Sequence, residues 1–329
     1  MEKRIGVYAE CNKNGINPVF YELLTKAEEL RKDLKEDYKL CGIIMGKNIS
    51  NLVDEMKASG VDEVFFSEDD KLEVFNVDYY SAVLKQFIED YQPEILLIGA
   101  TALGEELAPT MGLQVNTGVA AHCTDLRINE EGELVQVVPA FGGKVLGEIF
   151  TPHTLPKIAS VKPGIFTEER LEKKDAVAIE IDKTQLNAKQ SRLKVLDVYY
   201  KAPQGIPMDK ADVVVCGGFG MGSKENWNLL DELAVLLNGA VGCTRPAIDE
   251  GWVPDEENMI GTSGRSIRPK VYIGAGISGA THHLCGMKDS GVIISINKDE
   301  SAEIFNTSDY KIVGDASKVL KAIIEEIKA

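Results

Sequence analysis

The chain has 329 residues, enough for two domains, and its 44% hydrophobic and 27% charged content is typical of a soluble globular protein. A formal net charge of −16 argues against binding to nucleic acid or to anionic lipid through basic patches. No apolar run approaches the ~20 residues of a membrane span, and none of the six cysteines form a CxxC pair, so neither a membrane helix nor a metal site is expected.

The amino-terminal sequence passes from charged residues directly into a strand-like run. It lacks the apolar stretch and small-residue cleavage site of a secretory signal. The scattered cysteines are then expected to be reduced thiols. We therefore expect a cytoplasmic protein.

The first half of the chain alternates strand-like and helix-like segments. The strand candidates are Arg4–Ala9, Lys39–Met45, Glu63–Phe66 and Glu94–Ile98. The helix candidates are Phe20–Leu34, Ser50–Ser59, Val77–Tyr91 and Gly104–Gly112. This alternation predicts a mostly parallel sheet that is covered on both faces.

Beyond Thr117 the pattern changes to short β-like runs separated by glycine or proline, namely Val119–Ile128, Glu133–Pro139, Lys144–Phe150 and Ile158–Lys162. They predict an antiparallel extension of the sheet. One more strand is predicted at Leu193–Tyr200. Two prolines and a glycine within residues 201–210 predict a domain boundary, which gives an N-terminal α/β domain over residues 1–206.

The remaining residues, 207–329, again alternate strands with helices. The strand candidates are Asp212–Cys216, Lys270–Ile273, Val292–Ile296 and Tyr310–Val313, and the longer helix candidates are Lys224–Asn238 and Ala316–Ile327. The pattern predicts a Rossmann-like nucleotide-binding domain of ordinary size. The predicted fold class is therefore α/β with two domains.

The most specific local motif is the run from Gly274 to Gly279, which has GxGxxG spacing after a strand and before a predicted helix. Glycines let a pyrophosphate approach the backbone, and a helix N-terminus offers N–H groups to it. A ribose-binding residue is expected about 20 positions further on, where Asn297 and Asp299 lie. The alternative is that these glycines serve only a tight turn and close helix packing.

A second glycine-rich loop, Gly217–Gly222, also follows a strand and precedes a helix. Two such loops at the carboxyl ends of parallel strands define a crevice in which ligands bind. Glycine-rich turns of this kind are common, however, and Ser223 has the alternative role of capping the following helix.

Thr244 and Arg245 follow another strand-like run. Beside a flavin, Arg245 would be a fixed positive charge that favours negatively charged reduced forms and raises the reduction potential. The alternative is a surface arginine paired with Asp249 or Glu250, and spacing alone favours that pairing.

Two further groups of polar residues are candidates for contact with a cofactor. The hydroxyls of Thr262 and Ser263 would form hydrogen bonds to a cofactor, or the two residues would simply belong to a polar turn. His282 and His283 lie just after the glycine-rich run, where an imidazole would stabilise negative charge on a flavin, although isolated helix histidines are more often structural. Adjacent helix residues point about 100° apart, so the two histidines are a poor metal pair. No nucleophile or acid–base motif stands out, which suits electron transfer by a cofactor.

Several motifs together resemble the electron-transfer flavoprotein alpha-subunit family over nearly the whole chain. The C-terminal motifs are Gly276-Ile277-Ser278-Gly279-Ala280, followed by His283, and Gly286-Met287-Lys288-Asp289-Ser290. The N-terminal motifs include Gly99-Ala100-Thr101-Ala102-Leu103-Gly104 and Val161-Lys162-Pro163-Gly164.

The resemblance implies that the C-terminal domain holds FAD and that the N-terminal domain packs on a beta subunit. It also implies electron transfer from flavin dehydrogenases, often acyl-CoA dehydrogenases. The three residues it places at the redox ring are Arg245 beside the isoalloxazine, Ser263 near N5 and His283 facing the pyrimidine carbonyl. By motif position, the full set of implied FAD contacts is Phe219, Thr244, Arg245, Ile260, Gly261, Thr262, Ser263, Ser278, Gly279, Ala280, Thr281, His282, His283, Asn297, Asp315 and Ala316.

The chain departs from familiar members at Phe219, where they carry arginine, at Thr262-Ser263, where they often carry Gln-Thr, and at His282, where they often carry glutamine. Two modes stay open within the family, a simple carrier and a bifurcating complex in which NADH electrons are split between ferredoxin and a second acceptor. The departures and the missing targeting segment favour the bifurcating mode.

Two alternatives lie outside this family. One is a nucleotide-binding module without redox function. The other is an NAD-dependent dehydrogenase, which would need an acid–base pair that the sequence does not show.

Overall fold

The computed structural model describes residues 2–34, 36–140, 145–172, 175–199, 205–254 and 256–329. The chain divides into two compact units, residues 1–198 and residues 199–329. The predicted boundary after residue 206 lies slightly further along the chain. Residues 201–204 of the predicted linker region, 201–210, lie outside the described residues, so that boundary stays a prediction.

The first unit is built on a parallel sheet. Its strands in chain order are β1 (Lys3–Ala9), β2 (Cys11–Asn12), β3 (Gly15–Ile16), β4 (Tyr38–Gly46), β5 (Glu63–Glu68), β6 (Ile95–Gly99), β7 (Val119–Cys123), β8 (Asp125–Ile128), β9 (Leu134–Ala140), β10 (Val145–Ile149), β11 (Lys157–Val161) and β12 (Val177–Glu180). Within the described residues, seven of them pair in the order β12-β5-β4-β1-β6-β11-β7, and every neighbouring pair is parallel. Strands β8, β9 and β10 form a separate antiparallel sheet.

Helices cover both faces of this sheet, as the sequence predicted. They are α1 (Val19–Asp33), α2 (Ser50–Lys57), α3 (Val77–Tyr91), α4 (Gly104–Gln114) and α5 (Thr184–Ala188). Because side chains of a strand alternate between faces, Val7 of β1 joins the cluster that contains Phe20 of α1, whereas the next residue, Tyr8, joins the cluster that contains Phe87 of α3. Each large apolar side chain buried in this way contributes about 1.5–3 kcal/mol.

The part of the chain after Thr117 pairs in a more complex way than expected. The predicted antiparallel section exists, but as the separate sheet of β8–β10. Strands β7 and β11 instead belong to the parallel sheet, where Ile158 and Ala159 of β11 are fully buried. Burial on both faces is typical of an inner parallel strand.

The strand predicted at Leu193–Tyr200 was wrong over residues 193–199, which form no strand. Tyr200 lies outside the described residues. The apolar residues of this run pair with no neighbouring strand, and Leu196 is 88% exposed. The sequence instead missed β12, which pairs with β5 at the edge of the sheet from within a strongly charged stretch.

The second unit repeats the parallel arrangement on a smaller scale. Its elements are β13 (Val213–Gly217), α6 (Lys224–Leu236), β14 (Ala240–Cys243), α7 (Arg245–Asp249), β15 (Val271–Ala275), α8 (Thr281–Leu284), β16 (Val292–Asn297), β17 (Tyr310–Val313) and α9 (Ala316–Lys328). The strand order β14-β13-β15-β16-β17 is parallel throughout. The chain leaves β13 for β14 on one side and then crosses to β15 on the other, so a crevice opens between the carboxyl ends of β13 and β15.

Among the described residues, no helix combines the length and the apolar character needed to cross a membrane.

Candidate functional site

The two glycine-rich loops meet at the carboxyl ends of β13 and β15. The backbone N–H of Gly220 donates to the Gly276 carbonyl over 2.8 Å. A Cβ on Gly276 would lie 2.6 Å from the Gly220 backbone, and one on Gly218 would lie 2.5 Å from the Gly276 oxygen. These glycines are therefore needed first for the contact between the loops, which is the packing alternative that the sequence left open.

The third glycine of the motif has a similar task. Gly279 adopts a φ of +92°, and a Cβ there would fall inside the contact distance of the Ile304 nitrogen. The helix that follows, α8, has only four residues, so its dipole adds little to anion binding. Within the described residues, however, the backbone N–H groups of Ser278, Gly279 and Ala280 donate to no acceptor in the chain. Three successive donors are thus available to a ligand.

The loops border a cleft of about 720 Å³, which is within the range of small-molecule and cofactor sites. It is lined from the carboxyl ends of β13, β14, β15 and β16 and from the segment around residues 259–264. The sequence-predicted residues that line it are Phe219, Thr244, Arg245, Ile260, Gly261, Thr262, Ser263, Ser278, Ala280, His282, His283, Asn297 and Asp299. The predicted residues that do not line it are Gly279, Thr281, Asp315 and Ala316.

The cleft also contains residues that sequence reasoning missed. They include Pro246, Met259, Ile277, Ser301, Ala302 and Glu303. The stretch from Ser301 to Glu303 lies just beyond the carboxyl end of β16, and its position after a parallel strand was the signal that would have indicated it. No sequence pattern marks Met259.

Thr244 and Arg245 enter the cleft from the carboxyl end of β14. The Thr244 side chain is buried, and its Oγ1 has no hydrogen-bond partner among the described residues. Arg245 is 58% exposed and donates from Nε to Asp249 over 2.9 Å. The ion pair that spacing favoured is therefore present, while the same arginine also lines the cleft.

His282 is tied to the polar loop opposite it. Thr262 Oγ1 and His282 Nδ1 are 3.0 Å apart, and the Thr262 N–H donates to the His282 carbonyl over 2.8 Å. Ser263 is exposed at the cleft beside this contact. The loop and the start of α8 are thus held as one wall.

His283 is buried in that wall, with 6% of its surface exposed. Its Nδ1 is 3.0 Å from the Ile260 carbonyl, and its Nε2 is 2.8 Å from the Tyr272 hydroxyl. Burial lowers the pKa of His283 from 6.5 to about 4, so the ring is neutral at physiological pH. Both nitrogens are used within the unit, and the expected contact with a flavin carbonyl stays a prediction.

The remaining predicted residues have local roles. Asn297 Nδ2 donates to the Ile277 carbonyl over 2.8 Å and braces the glycine-rich loop. Asp315 caps α9 by accepting from the Lys318 N–H over 3.1 Å. The Phe219 ring stacks on Trp252 with centroids 6.1 Å apart and planes 15° apart, and it leaves 60% of its surface exposed at the cleft.

Comparison with known proteins finds a family match within each of the two units. A family described as "Electron transfer flavoprotein domain" matches residues 5–188, and one described as "Electron transfer flavoprotein FAD-binding domain" matches residues 207–288. The chain is 36% identical over 327 residues to the electron transfer flavoprotein subunit alpha of Thermoanaerobacterium thermosaccharolyticum, covering 99% of this chain and 98% of the relative. It is 38% identical over 332 residues to the subunit of the same name from Clostridium acetobutylicum, covering 99% and 97%.

The chain belongs to the electron transfer flavoprotein alpha-subunit family. Another relative is the "Lactate dehydrogenase (NAD(+),ferredoxin) subunit LctC" of Acetobacterium woodii, which is 36% identical over 327 residues, covering 98% of this chain and 77% of the relative.

The match to the FAD-binding domain family, residues 207–288, lies within the second unit, and the geometry of the cleft fits FAD. The buried Thr244 hydroxyl lacks a partner, and the N–H groups of residues 278–280 offer donors to a pyrophosphate. Within the described residues, no group of three or more His, Cys, Asp or Glu side chains is placed to hold a metal ion.

Proposed function

We propose that this chain is the FAD-carrying alpha subunit of a heterodimeric electron transfer flavoprotein. It would pair with a beta subunit and pass electrons between flavin dehydrogenases, such as an acyl-CoA dehydrogenase, and other redox partners. One observation carries the proposal. The residues that the family resemblance assigned to a flavin ring, Arg245, Ser263 and His283, line the same cleft as the glycine-rich loop that would hold a pyrophosphate.

The bound FAD supplies the redox chemistry, because its flavin ring accepts and releases one or two electrons. The chain's own residues bind and tune it. The N–H groups of residues 278–280 would hold the pyrophosphate, and the Thr244 and Ser263 hydroxyls would bond polar atoms of the cofactor. Arg245 contributes a positive charge to the cleft, which favours reduction.

We further propose that the subunit works in an NADH-dependent bifurcating complex, in which electrons are divided between ferredoxin and a second acceptor. The resemblance to LctC supports this mode, since the name of that protein states both NAD(+) and ferredoxin. The departures at Phe219, Thr262 and His282 agree with a cofactor environment that differs from that of simple carriers.

The test is anaerobic stepwise reduction of the purified alpha–beta complex, first with NADH and then with dithionite, followed by the visible flavin spectrum. The proposal predicts bound flavin that NADH reduces. If only an acyl-CoA dehydrogenase system reduces it, the simple carrier is correct and the bifurcating mode is wrong. If the complex contains no flavin, the electron-transfer function itself is wrong.

A nucleotide-binding module without redox activity is the second candidate. Two observations favour it: Arg245 is paired with Asp249, and both His283 nitrogens are bonded within the unit. A colourless protein after co-expression with the beta subunit, which still binds adenine nucleotide, would support this function over the first.

A further inference from the structure

The two adjacent histidines of the FAD cleft lie in opposite environments. His282 is partly exposed and contacts the Thr262 hydroxyl, whereas His283 is buried between the cleft wall and β15. Only the buried ring has both nitrogens bonded to groups from other segments of the unit. The environment of His283 therefore determines both its proton position and its role.

The hydrogen bonds around His283 have a single consistent direction. The Ile260 carbonyl can only accept, so Nδ1 carries the proton and donates to it. Nε2 of the neutral ring is then an acceptor, and the Tyr272 hydroxyl donates to it. Behind Tyr272, the Cys216 thiol lies close enough to the same hydroxyl to interact with it. The groups that bond the ring are uncharged, and burial raises the pKa of the thiol, so it is uncharged as well.

This chain of bonds holds a loop as well as a ring. The carbonyl that accepts from His283 belongs to Ile260, the first residue of the cleft segment that continues through Gly261 and Thr262 to Ser263. The neighbouring Thr262 N–H donates to the His282 carbonyl over 2.8 Å. A Cβ on Gly261 would lie 2.7 Å from that same carbonyl, so the loop and the helix start are in direct contact. Losing the Nδ1 bond would leave a buried carbonyl unsatisfied and release one end of this segment.

We propose that His283 is a positioning residue, which Tyr272 holds as the neutral Nδ1–H tautomer and which fixes the 260–263 loop for FAD through its bond to the Ile260 carbonyl. In this role His283 does not supply a positive charge to the flavin, and His282 is the imidazole that remains accessible at the cleft. The inference rests on FAD binding in this cleft, but the tautomer can be measured without any electron transfer.

The first test is ¹⁵N NMR of histidine in the purified alpha–beta complex, with the His283 signals assigned by their loss in His283→Asn. The proposal predicts the Nδ1–H tautomer, unchanged from about pH 8 to about pH 5.5, where an ordinary histidine becomes charged. An Nε2–H tautomer, or an imidazolium that forms within this range, would overturn it. The measurement can be made on flavin-free complex, so a failure of FAD binding would not affect its result.

Tyr272→Phe tests the second half of the proposal. The substitution removes the Tyr272 hydroxyl, whose hydrogen bond to Nε2 stabilises the neutral imidazole of His283. It keeps the aromatic ring of residue 272, which packs in the core. The pH at which His283 becomes charged should rise relative to the wild type. If the tautomer and its pH response are the same in this variant, Tyr272 does not hold the ring.

The third test separates positioning from charge by two substitutions of similar size. The amide nitrogen of Asn lies near the position of Nδ1, so His283→Asn retains a donor for the Ile260 carbonyl, whereas the longer Gln of His283→Gln places its polar end near Nε2. We expect the FAD dissociation constant of His283→Asn to stay within about threefold of the wild type, and that of His283→Gln to rise about tenfold or more. Equal weakening in both variants would contradict the positioning role.

A double variant guards against a simple folding defect. In His283→Asn, the Tyr272 hydroxyl is left buried without its acceptor, which costs stability for a reason unrelated to the loop. Tyr272→Phe/His283→Asn removes that hydroxyl and should bind FAD at least as tightly as His283→Asn alone. Weaker FAD binding by the double variant would show that the Nδ1 donor alone does not hold the loop.

Discussion

Acidification should destabilise the second unit through a single buried histidine. His283 is 6% exposed, and burial lowers its pKa from 6.5 to about 4. In the unfolded chain the same imidazole binds a proton near its ordinary pKa. Between these two values the unfolded state therefore holds the extra proton, and lowering the pH shifts the equilibrium towards it.

The direction and size of the effect follow from this difference. The stability that the neutral ring contributes is present above about pH 6.5 and is lost as the pH falls towards about 4. Each pH unit in that window costs up to about 1.4 kcal/mol, and the slope is smaller near pH 6.5, so about 2 kcal/mol is lost between pH 7 and pH 5. The carboxylates whose pKa is lowered, such as Glu63 and Asp78, lose their contribution at lower pH.

The assay is urea unfolding at about pH 7 and about pH 5, followed by tryptophan fluorescence of the flavin-free protein. Both tryptophans of the chain, Trp227 and Trp252, lie in the second unit and report on it. His283→Asn removes the titrating group and is the matched control, because contributions from other groups or from a partner subunit cancel in the comparison. If the wild type and His283→Asn lose the same free energy of unfolding between the two pH values, the reasoning is refuted.

Three substitutions test other contacts of the cleft. Thr244→Val removes a buried hydroxyl that has no partner among the described residues, so the protein should be no less stable. FAD binding, measured by fluorescence titration, should weaken about 2- to 10-fold. An unchanged affinity for FAD would show that Thr244 does not contact the cofactor. Arg245→Gln should lower the FAD reduction potential in an anaerobic redox titration, whereas the control Asp249→Asn, which removes only the ion-pair partner, should not; equal shifts would show that the charge in the cleft is unimportant. Gly279→Ala should cost at least about 2 kcal/mol in unfolding experiments, because φ is +92° and the methyl group would overlap the Ile304 backbone; stability equal to the wild type would contradict this geometry.

Much of the fold could be predicted because parallel sheets have a simple sequence pattern. Alternation of strands with amphipathic helices indicated the two α/β units, and β15 and α9 lie close to their predicted positions. The prediction of strands failed where a segment with strand-like sequence has no neighbouring strand to pair with. The run at Leu193–Tyr200 has strand-like composition, but no strand in the described residues pairs with it, and strand composition alone does not provide a neighbour.

The candidate site was predictable for a similar reason. Gly276 and Arg245 follow the carboxyl ends of β15 and β14, and Asn297 is the last residue of β16. In a parallel sheet these ends meet at one edge. Bonds between segments that are distant in sequence could not be predicted. Nothing in the spacing shows that Tyr272 and Ile260 occupy both nitrogens of His283, because that depends on how three segments pack in space.

The most direct test of the account is whether FAD occupies the cleft of the second unit. Ala280 lines the cleft with an exposed side chain, whereas Ala322 is an exposed alanine on α9 that does not line it. FAD content and affinity should be measured for Ala280→Trp and for the matched control Ala322→Trp, each co-expressed with the beta subunit. The account predicts that Ala280→Trp folds but loses FAD, while Ala322→Trp binds FAD as the wild type does. Wild-type FAD content and affinity in Ala280→Trp would contradict it.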